Sequence, residues 1–158
     1  MKIKAGIIGG TGFTAGELIR ILMHHPDVSI DFVYSTSKAG APVSDVHTDL
    51  TGDLDLVFTD KINSEVSVVF LCLGHGNSKI FLENHTFGEQ TKIIDLSNDF
   101  RLEKHSIFKG EKFIYGLPEL NHESIKSAKY IANPGCFATA IQLAILPLHG
   151  KTGRVAGA

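Results

Sequence analysis

The sequence lacks the features that mark several specialised classes of protein. It has only two cysteines, Cys72 and Cys136, which lie far apart and match no disulfide or zinc-ligand spacing, so we expect no metal site. No apolar run approaches the roughly 20 residues that a membrane-spanning helix needs. The formal net charge of −2 provides no general attraction to nucleic acid or to an anionic membrane.

The remaining composition is typical of an ordinary globular domain. The 158 residues are 43% hydrophobic and 20% charged, which suffices for one domain with its own core. The sequence enters a strand directly at its start, so we expect no signal peptide and a cytoplasmic location. A small-molecule substrate is the expected partner, and a reducing compartment suits a functional free thiol.

A glycine-rich turn follows the first predicted strand, Lys2 to Ile8, and precedes a helix that includes residues 17–22. A dinucleotide-binding fold needs this order, because glycines let the backbone approach a pyrophosphate and the helix N-terminus supplies amide donors. A glycine turn without a ligand is the alternative. The residues expected to contact the cofactor are Gly9, Thr11, Gly12, Phe13 and Thr14.

The end of the second predicted strand, Val28 to Tyr34, distinguishes the two nicotinamide dinucleotides. An acidic residue there would bind the ribose 2′-hydroxyl and repel a 2′-phosphate. The strand is followed instead by Ser35, Ser37 and Lys38, which suit a phosphate and favour NADP. Asp31 lies in the middle of the strand in this register, and the preference would reverse if the strand ended three residues earlier.

Further strands are predicted at residues 66–72, 91–96 and 129–132, alternating with helices. This alternation predicts an α/β fold with a doubly wound parallel sheet, a Rossmann-like domain. Loops at the carboxyl ends of central strands carry two further candidate sites. Gly74 and His75 either face the cofactor or cap a turn. Arg101 either holds an anion or forms a structural ion pair with Asp99 or another acid.

Two other segments of the chain lead to weaker expectations. His47 has no obvious partner, and we assign it no role. Residues 113–121 are predicted to form a turn, with Asn121 capping a short helix through Lys126. Glu119 is the acid in this turn that is expected to point toward a site.

Cys136 lies at a predicted strand-to-helix turn, after Pro134 and Gly135. Apolar residues recur at helical spacing from Cys136 to about Leu148. The sulfur is therefore expected near the positive end of a helix, which favours the thiolate and attack on a carbonyl carbon. A buried structural cysteine is the alternative.

Four segments together resemble the N-acetyl-gamma-glutamyl-phosphate reductase family. They are residues 9–18, residues 94–102, residues 115–120 and the Asn133-Pro134-Gly135-Cys136 turn with residues 137–139, in the family's order. The resemblance implies that Cys136 attacks an acyl phosphate and that NADPH then reduces the resulting thioester to N-acetylglutamate semialdehyde. It also implies a substrate side formed by Ser97, Arg101, Glu119 and Asn133.

Members of that family are about twice as long as this chain. The resemblance implies a second α+β domain, absent here, that carries a general acid/base histidine and much of the contact in a homo-oligomer. We therefore expect residues 1–149 to form the NADP-binding domain and 150–158 a tail or truncated connection, with His149 in the wrong context to replace that histidine. The isolated chain is expected to bind NADP and to turn over poorly.

Two alternatives remain open from the sequence. Aspartate-semialdehyde dehydrogenase shares the implied fold, cofactor and thiol chemistry, but its cysteine turn usually carries asparagine where this chain has Gly135. The second alternative is that the chain is a non-catalytic NADP-binding module.

Overall fold

The computed structural model describes residues 2–148, in which strands and helices alternate as the sequence predicts. The strands are β1 (Ile3–Ile8), β2 (Val28–Tyr34), β3 (Phe58–Thr59), β4 (Val68–Leu71), β5 (Lys92–Asp95), β6 (Ile107–Phe108), β7 (Glu111–Lys112), β8 (Ile114–Tyr115) and β9 (Tyr130–Ala132). The helices are α1 (Phe13–Met23), α2 (Ser78–Asn84), α3 (Pro118–Ser127) and α4 (Cys136–Ile145). Short 3-10 turns cover Val43–Asp45, Thr48–Leu50, Glu103–His105 and Leu146–Leu148.

Seven of the described strands form one sheet in the order β3-β2-β1-β4-β5-β9-β8. Every pairing between neighbours in this sheet is parallel. The chain runs outward from β1 to β3 and then returns to place β4 on the other side of β1. The carboxyl ends of β1 and β4 therefore meet at a topological switch point, where ligands bind in open α/β sheets. The predicted doubly wound fold is confirmed, and β2 has the predicted bounds.

The core divides into two clusters because the central strands are buried on both faces. Ile8 and Phe32 belong to one cluster, whereas their neighbours Ile7 and Val33 belong to the other. Successive strand residues point to opposite faces of a sheet, so continuous apolar runs bury both sides of β1 and β2.

Residues 113–121 differ from the predicted turn. Strand β8 pairs with β9 at the sheet edge, and α3 begins at Pro118, whose fixed φ suits the first position of a helix. Asn121 does not cap the helix. It interrupts α3 with φ −124°, and its Nδ2 donates to the carbonyl oxygen of Tyr115 at 2.9 Å.

The predicted tail, residues 150–158, and His149 lie outside the described residues. Among the helices of residues 2–148, none combines the length and the apolar character that a membrane crossing requires.

Candidate functional site

The glycine turn after β1 is packed tightly on its inner side. The amides of Gly9 and Gly10 both donate to the carbonyl oxygen of Tyr34, at 3.2 and 3.0 Å. Gly9 has φ +80°, and a Cβ there would lie 2.7 Å from the carbonyl oxygen of Cys72. A Cβ on Gly10 would lie 2.3 Å from Cγ1 of Val33. Both positions need glycine because the turn lies directly against β2 and the end of β4.

The outer side of the same turn is open. A Cβ on Gly12 would come no nearer than 4.0 Å to the backbone of Cys72. Gly12 is the N-cap of α1 and provides no side-chain cap, and the first amides of a helix have no intrahelical acceptor. Thr11, Phe13 and Thr14 are exposed beside these amides, with Phe13 98% exposed. This combination suits a diphosphate.

The loop after β2 carries hydroxyls and a lysine. Ser35 is buried with its hydroxyl 3.4 Å from that of Ser37, while Ser37 and Lys38 are exposed. Asp31 lies within β2, as predicted, and accepts from Asn63 Nδ2 at 2.9 Å. That bond and an ion pair with Lys4 at 3.2 Å lower the pKa of Asp31. Its carboxylate is therefore engaged away from the end of the strand.

The loops after β4 and β5 are hydrogen-bonded to each other. His75 is exposed, and its Nδ1 accepts from the amide of Asn98 at 3.1 Å. The carboxylate of Asp99 accepts from the amides of Gly76 and Lys79, at 2.7 and 3.1 Å. Gly74, with φ +77°, opens the first loop. These bonds hold the exposed edge of His75 at the carboxyl end of β4, next to the glycine turn.

Ser97 lies behind the β5 loop rather than on its surface. It is 1% exposed, and its hydroxyl donates to Asp95 at 2.7 Å and accepts from the amide of Asp99 at 3.1 Å. Burial raises the pKa of Asp95, and the hydrogen bonds from Ser97 oppose this shift. Burial, together with Asp95, raises the pKa of the Cys72 thiol to about 12. Cys72 is thus a half-buried thiol packed against one of the two core clusters.

Cys136 is the first residue of α4 and is exposed, with Gly135 as the N-cap. It opens onto a cleft of about 420 Å³. Strand β9 lies beside β5, so this cleft is on the same carboxyl edge of the sheet as the glycine turn. The lining residues are Gly116, Leu117, Pro118, Glu119, Asn133, Pro134, Cys136, Thr139 and Leu143.

The cleft brings together three of the predicted site residues, Cys136, Glu119 and Asn133. Glu119 is exposed in the first turn of α3, and Asn133 is exposed just before the Pro134-Gly135 turn. The sequence did not single out the wall residues Thr139 and Leu143. Thr139 and Leu143 lie three and seven residues after Cys136, and this helical spacing puts them on the same side of α4 as Cys136.

Arg101 lies behind the cysteine turn. Its Nε donates to the carbonyl oxygen of Asn133 and its guanidinium to that of Leu96, both at 2.8 Å. A Cβ on Gly135 would lie 3.0 Å from its Nη1. Within residues 2–148, Arg101 forms no ion pair with Asp99 or another acid, because its guanidinium donates to these backbone carbonyl oxygens instead. Arg101 joins the end of β5 to the residue preceding the Pro134-Gly135 turn.

His47 has no partner evident from the sequence, but the structure gives it one. Its ring is buried, and Nε2 lies 2.7 Å from the carbonyl oxygen of Gly10. The two residues are 37 positions apart, so no local pattern connects them.

Comparison with known proteins shows where this architecture occurs. The family described as semialdehyde dehydrogenase, NAD-binding domain, matches residues 4–128. An N-acetyl-gamma-glutamyl-phosphate reductase of Flavobacterium johnsoniae is 65% identical over 146 residues, which cover 92% of this chain and 45% of that protein. The reductase of Christiangramia forsetii is 62% identical over 146 residues, covering 92% and 44%. A match of this length on a 158-residue chain includes Cys136. The chain spans slightly less than half the length of these relatives.

Solved structures share the fold at lower identity. The aspartate-semialdehyde dehydrogenase of Candida albicans, solved with NADP, has a TM-score of 0.71 at 21% identity and covers 98% of this chain and 48% of its own. The Vibrio cholerae aspartate-semialdehyde dehydrogenase II has a TM-score of 0.68 at 19% identity, covering 95% and 47%. At this identity the likeness concerns the fold alone.

Proposed function

Because the chain belongs to the semialdehyde dehydrogenase NAD-binding-domain family, we propose that it is the cofactor-binding part of an N-acetyl-gamma-glutamyl-phosphate reductase of arginine biosynthesis. Relatives at 65% and 62% identity bear that enzyme's name. The observation that carries the proposal is the position of Cys136. It begins a helix at a cleft on the sheet edge that also carries the glycine turn.

The residues at the switch point fit a dinucleotide. The outer side of Gly12 is open, and the first amides of α1 are available to a pyrophosphate. Ser37 and Lys38 suit the 2′-phosphate of NADP, and no acid follows β2 directly to repel it. The roles proposed for Thr11 and Thr14 are backbone and hydroxyl contacts to the phosphates, with Phe13 and His75 beside them. Gly9, whose amide is bonded to Tyr34, would shape the turn that brings these groups to the cofactor. When bound, NADPH supplies the hydride of the reaction.

Cys136 would supply the nucleophile. Its thiolate attacks the acyl carbon of the acyl phosphate, a carbon–sulfur bond forms, and phosphate leaves with the electrons of the broken carbon–oxygen bond. The unpaired amides in the first turn of α4 are donors for the oxygen that becomes negative during this attack. The hydride that NADPH would supply reduces the thioester, and Cys136 would leave as the thiolate when the aldehyde is released.

Other residues around the cleft would orient the substrate. Glu119 and Asn133 line the cleft directly, so we assign them to the substrate side. Arg101 and Ser97 would act through the backbone that they hold, at the cysteine turn and in the β5 loop. Both remain part of the substrate side that we propose.

The proposed domain division is residues 1–149 as the NADP-binding domain and 150–158 as a connection. The relatives are more than twice as long as the matched region, so the intact reductase would contribute a second domain and homo-oligomeric contacts. We place the reaction in the cytoplasm, where a thiol stays reduced.

The test is NADP⁺ binding by calorimetry combined with phosphate-dependent reduction of NADP⁺. The semialdehyde substrates would be N-acetylglutamate semialdehyde and, in parallel, aspartate semialdehyde, with Cys136→Ser as the matched variant. We expect both proteins to bind NADP⁺. Any turnover should be weak, specific for the acetylated substrate and absent from Cys136→Ser.

The other outcomes would separate the alternatives. Turnover that survives in Cys136→Ser, or that prefers aspartate semialdehyde, would contradict the assignment. Turnover at the rate of an intact reductase would contradict the need for a second domain. A chain that binds neither NADP⁺ nor NAD⁺ would overturn the cofactor assignment itself.

A further inference from the structure

His47 is the one histidine of residues 2–148 whose ring is buried against the glycine turn. It is 8% exposed and lies between the 3-10 turns Val43–Asp45 and Thr48–Leu50. Its Nε2 lies 2.7 Å from the carbonyl oxygen of Gly10. A carbonyl oxygen can only accept, so Nε2 carries the proton and donates it to this bond.

The same ring occupies the space above α1. A Cβ built on Gly16 would lie 2.6 Å from Nδ1 of His47 and 2.9 Å from its Cε1. Real Cβ contacts are not that short, so the missing side chain at Gly16 is what admits the ring. His47 is thus wedged between the glycine turn and the first turns of α1.

The hydrogen bond to Gly10 determines the orientation of the Gly10–Thr11 peptide. Within residues 2–148 there is no cis peptide bond, and in a trans peptide the N–H points opposite to the C=O. Since the Gly10 carbonyl points inward to His47, the Thr11 amide points away from it, on the exposed side of the turn. No acceptor in the described part of the chain takes this amide.

We propose that His47 is a positioning residue of the dinucleotide site. It holds the Gly10–Thr11 peptide in the one orientation that presents the Thr11 amide to the pyrophosphate of the cofactor. Without this bond the peptide can rotate, and the site loses an oriented donor. The inference rests on the proposed cofactor binding and adds a residue that lies outside the glycine motif.

The positioning role of His47 is tested with two variants, His47→Gln and His47→Asn, whose side chains differ by one methylene group. The amide nitrogen of His47→Gln can reach the position of Nε2 and donate to Gly10, whereas that of His47→Asn is too short. We expect Asn to weaken NADP⁺ binding about 10-fold and Gln to keep it within about threefold of wild type. NAD⁺, which carries the same pyrophosphate, should weaken by the same factor as NADP⁺.

Adenosine 2′-monophosphate is the control ligand because it lacks the pyrophosphate. Its affinity, measured by competition, should be the same for His47→Gln and His47→Asn, whereas general damage to the fold would lower it in parallel with that of NADP⁺. Equal NADP⁺ affinities of the Gln and Asn variants, or a parallel loss of the control ligand, would overturn the proposal.

Gly16→Ala provides a second approach if His47→Asn fails to fold. Its methyl group displaces the ring without changing His47, and we expect a similar loss of NADP⁺ binding. Unchanged affinity in folded Gly16→Ala would overturn the role of His47. A wild-type chain that binds neither dinucleotide would instead overturn the proposed cofactor function, and this inference with it.

Discussion

The two cysteines should differ greatly in their reactivity toward an alkylating agent. Cys72 is half-buried, and burial together with the Asp95 carboxylate raises its pKa to about 12. Cys136 is exposed as the first residue of α4. The thiolate is the form that reacts, so the raised pKa of Cys72 and its restricted access both slow the reaction of Cys72.

The size of the difference follows from the ionisation of Cys72. At pH 8, a thiol with a pKa of about 12 is ionised to roughly 1 part in 10⁴. An unperturbed thiol, with a pKa of about 8.5, is roughly one quarter ionised at the same pH. On the ionised fraction alone, Cys72 should therefore react roughly a thousandfold more slowly than a free thiol.

Iodoacetamide at pH 8, followed by intact-protein mass spectrometry, measures this directly. We expect the native chain to take up one carbamidomethyl group rapidly and the second only after unfolding. Cys136→Ser should lose the rapid phase, and the matched variant Cys72→Ala should retain it. A rapid phase in Cys136→Ser, or two rapid equivalents in the wild type, would refute the placement of Cys72 against the core.

Three further predictions concern stability. Gly9→Ala should lower the free energy of unfolding by about 1 to 2 kcal/mol more than Gly74→Ala. Both glycines have positive φ, but only a Cβ on Gly9 would lie within 4 Å of a backbone atom, the Cys72 carbonyl oxygen. Equal losses of stability in urea titrations would argue against that close approach. Burial raises the pKa of Asp95 in the folded state, so its favourable share of stability is full below pH 3.8 and is lost as pH rises through the folded-state pKa. Asp95→Asn should thus gain stability relative to wild type as pH rises above 3.8, and a difference that stays constant with pH would contradict the shift. Arg101→Met should cost about 1 to 3 kcal/mol, because two carbonyl oxygens lose their donor; a thermal melt identical to that of the wild type would show that these bonds contribute nothing.

Local signals predicted most of the elements. Strand β2 has the predicted bounds, the glycine turn lies between β1 and α1, and Cys136 begins a helix. These features depend on side-chain period and on turn residues that lie within a few positions of one another. Residues 113–121 were mispredicted because β8 has only two residues and exists through its pairing with β9.

The sequence by itself determined the order of the main strands and helices, the positions of the glycine turn and the cysteine turn, and the types of chemical group that these turns carry. The tertiary structure alone decided that β9 lies between β5 and β8, which puts Cys136 in a cleft with Glu119 and Asn133. It also decided that Arg101 holds the carbonyl of Asn133 and that His47 lies beneath Gly10. The contacts of Arg101 and His47 join residues more than 30 positions apart, so they form only when the folded sheet brings distant segments together.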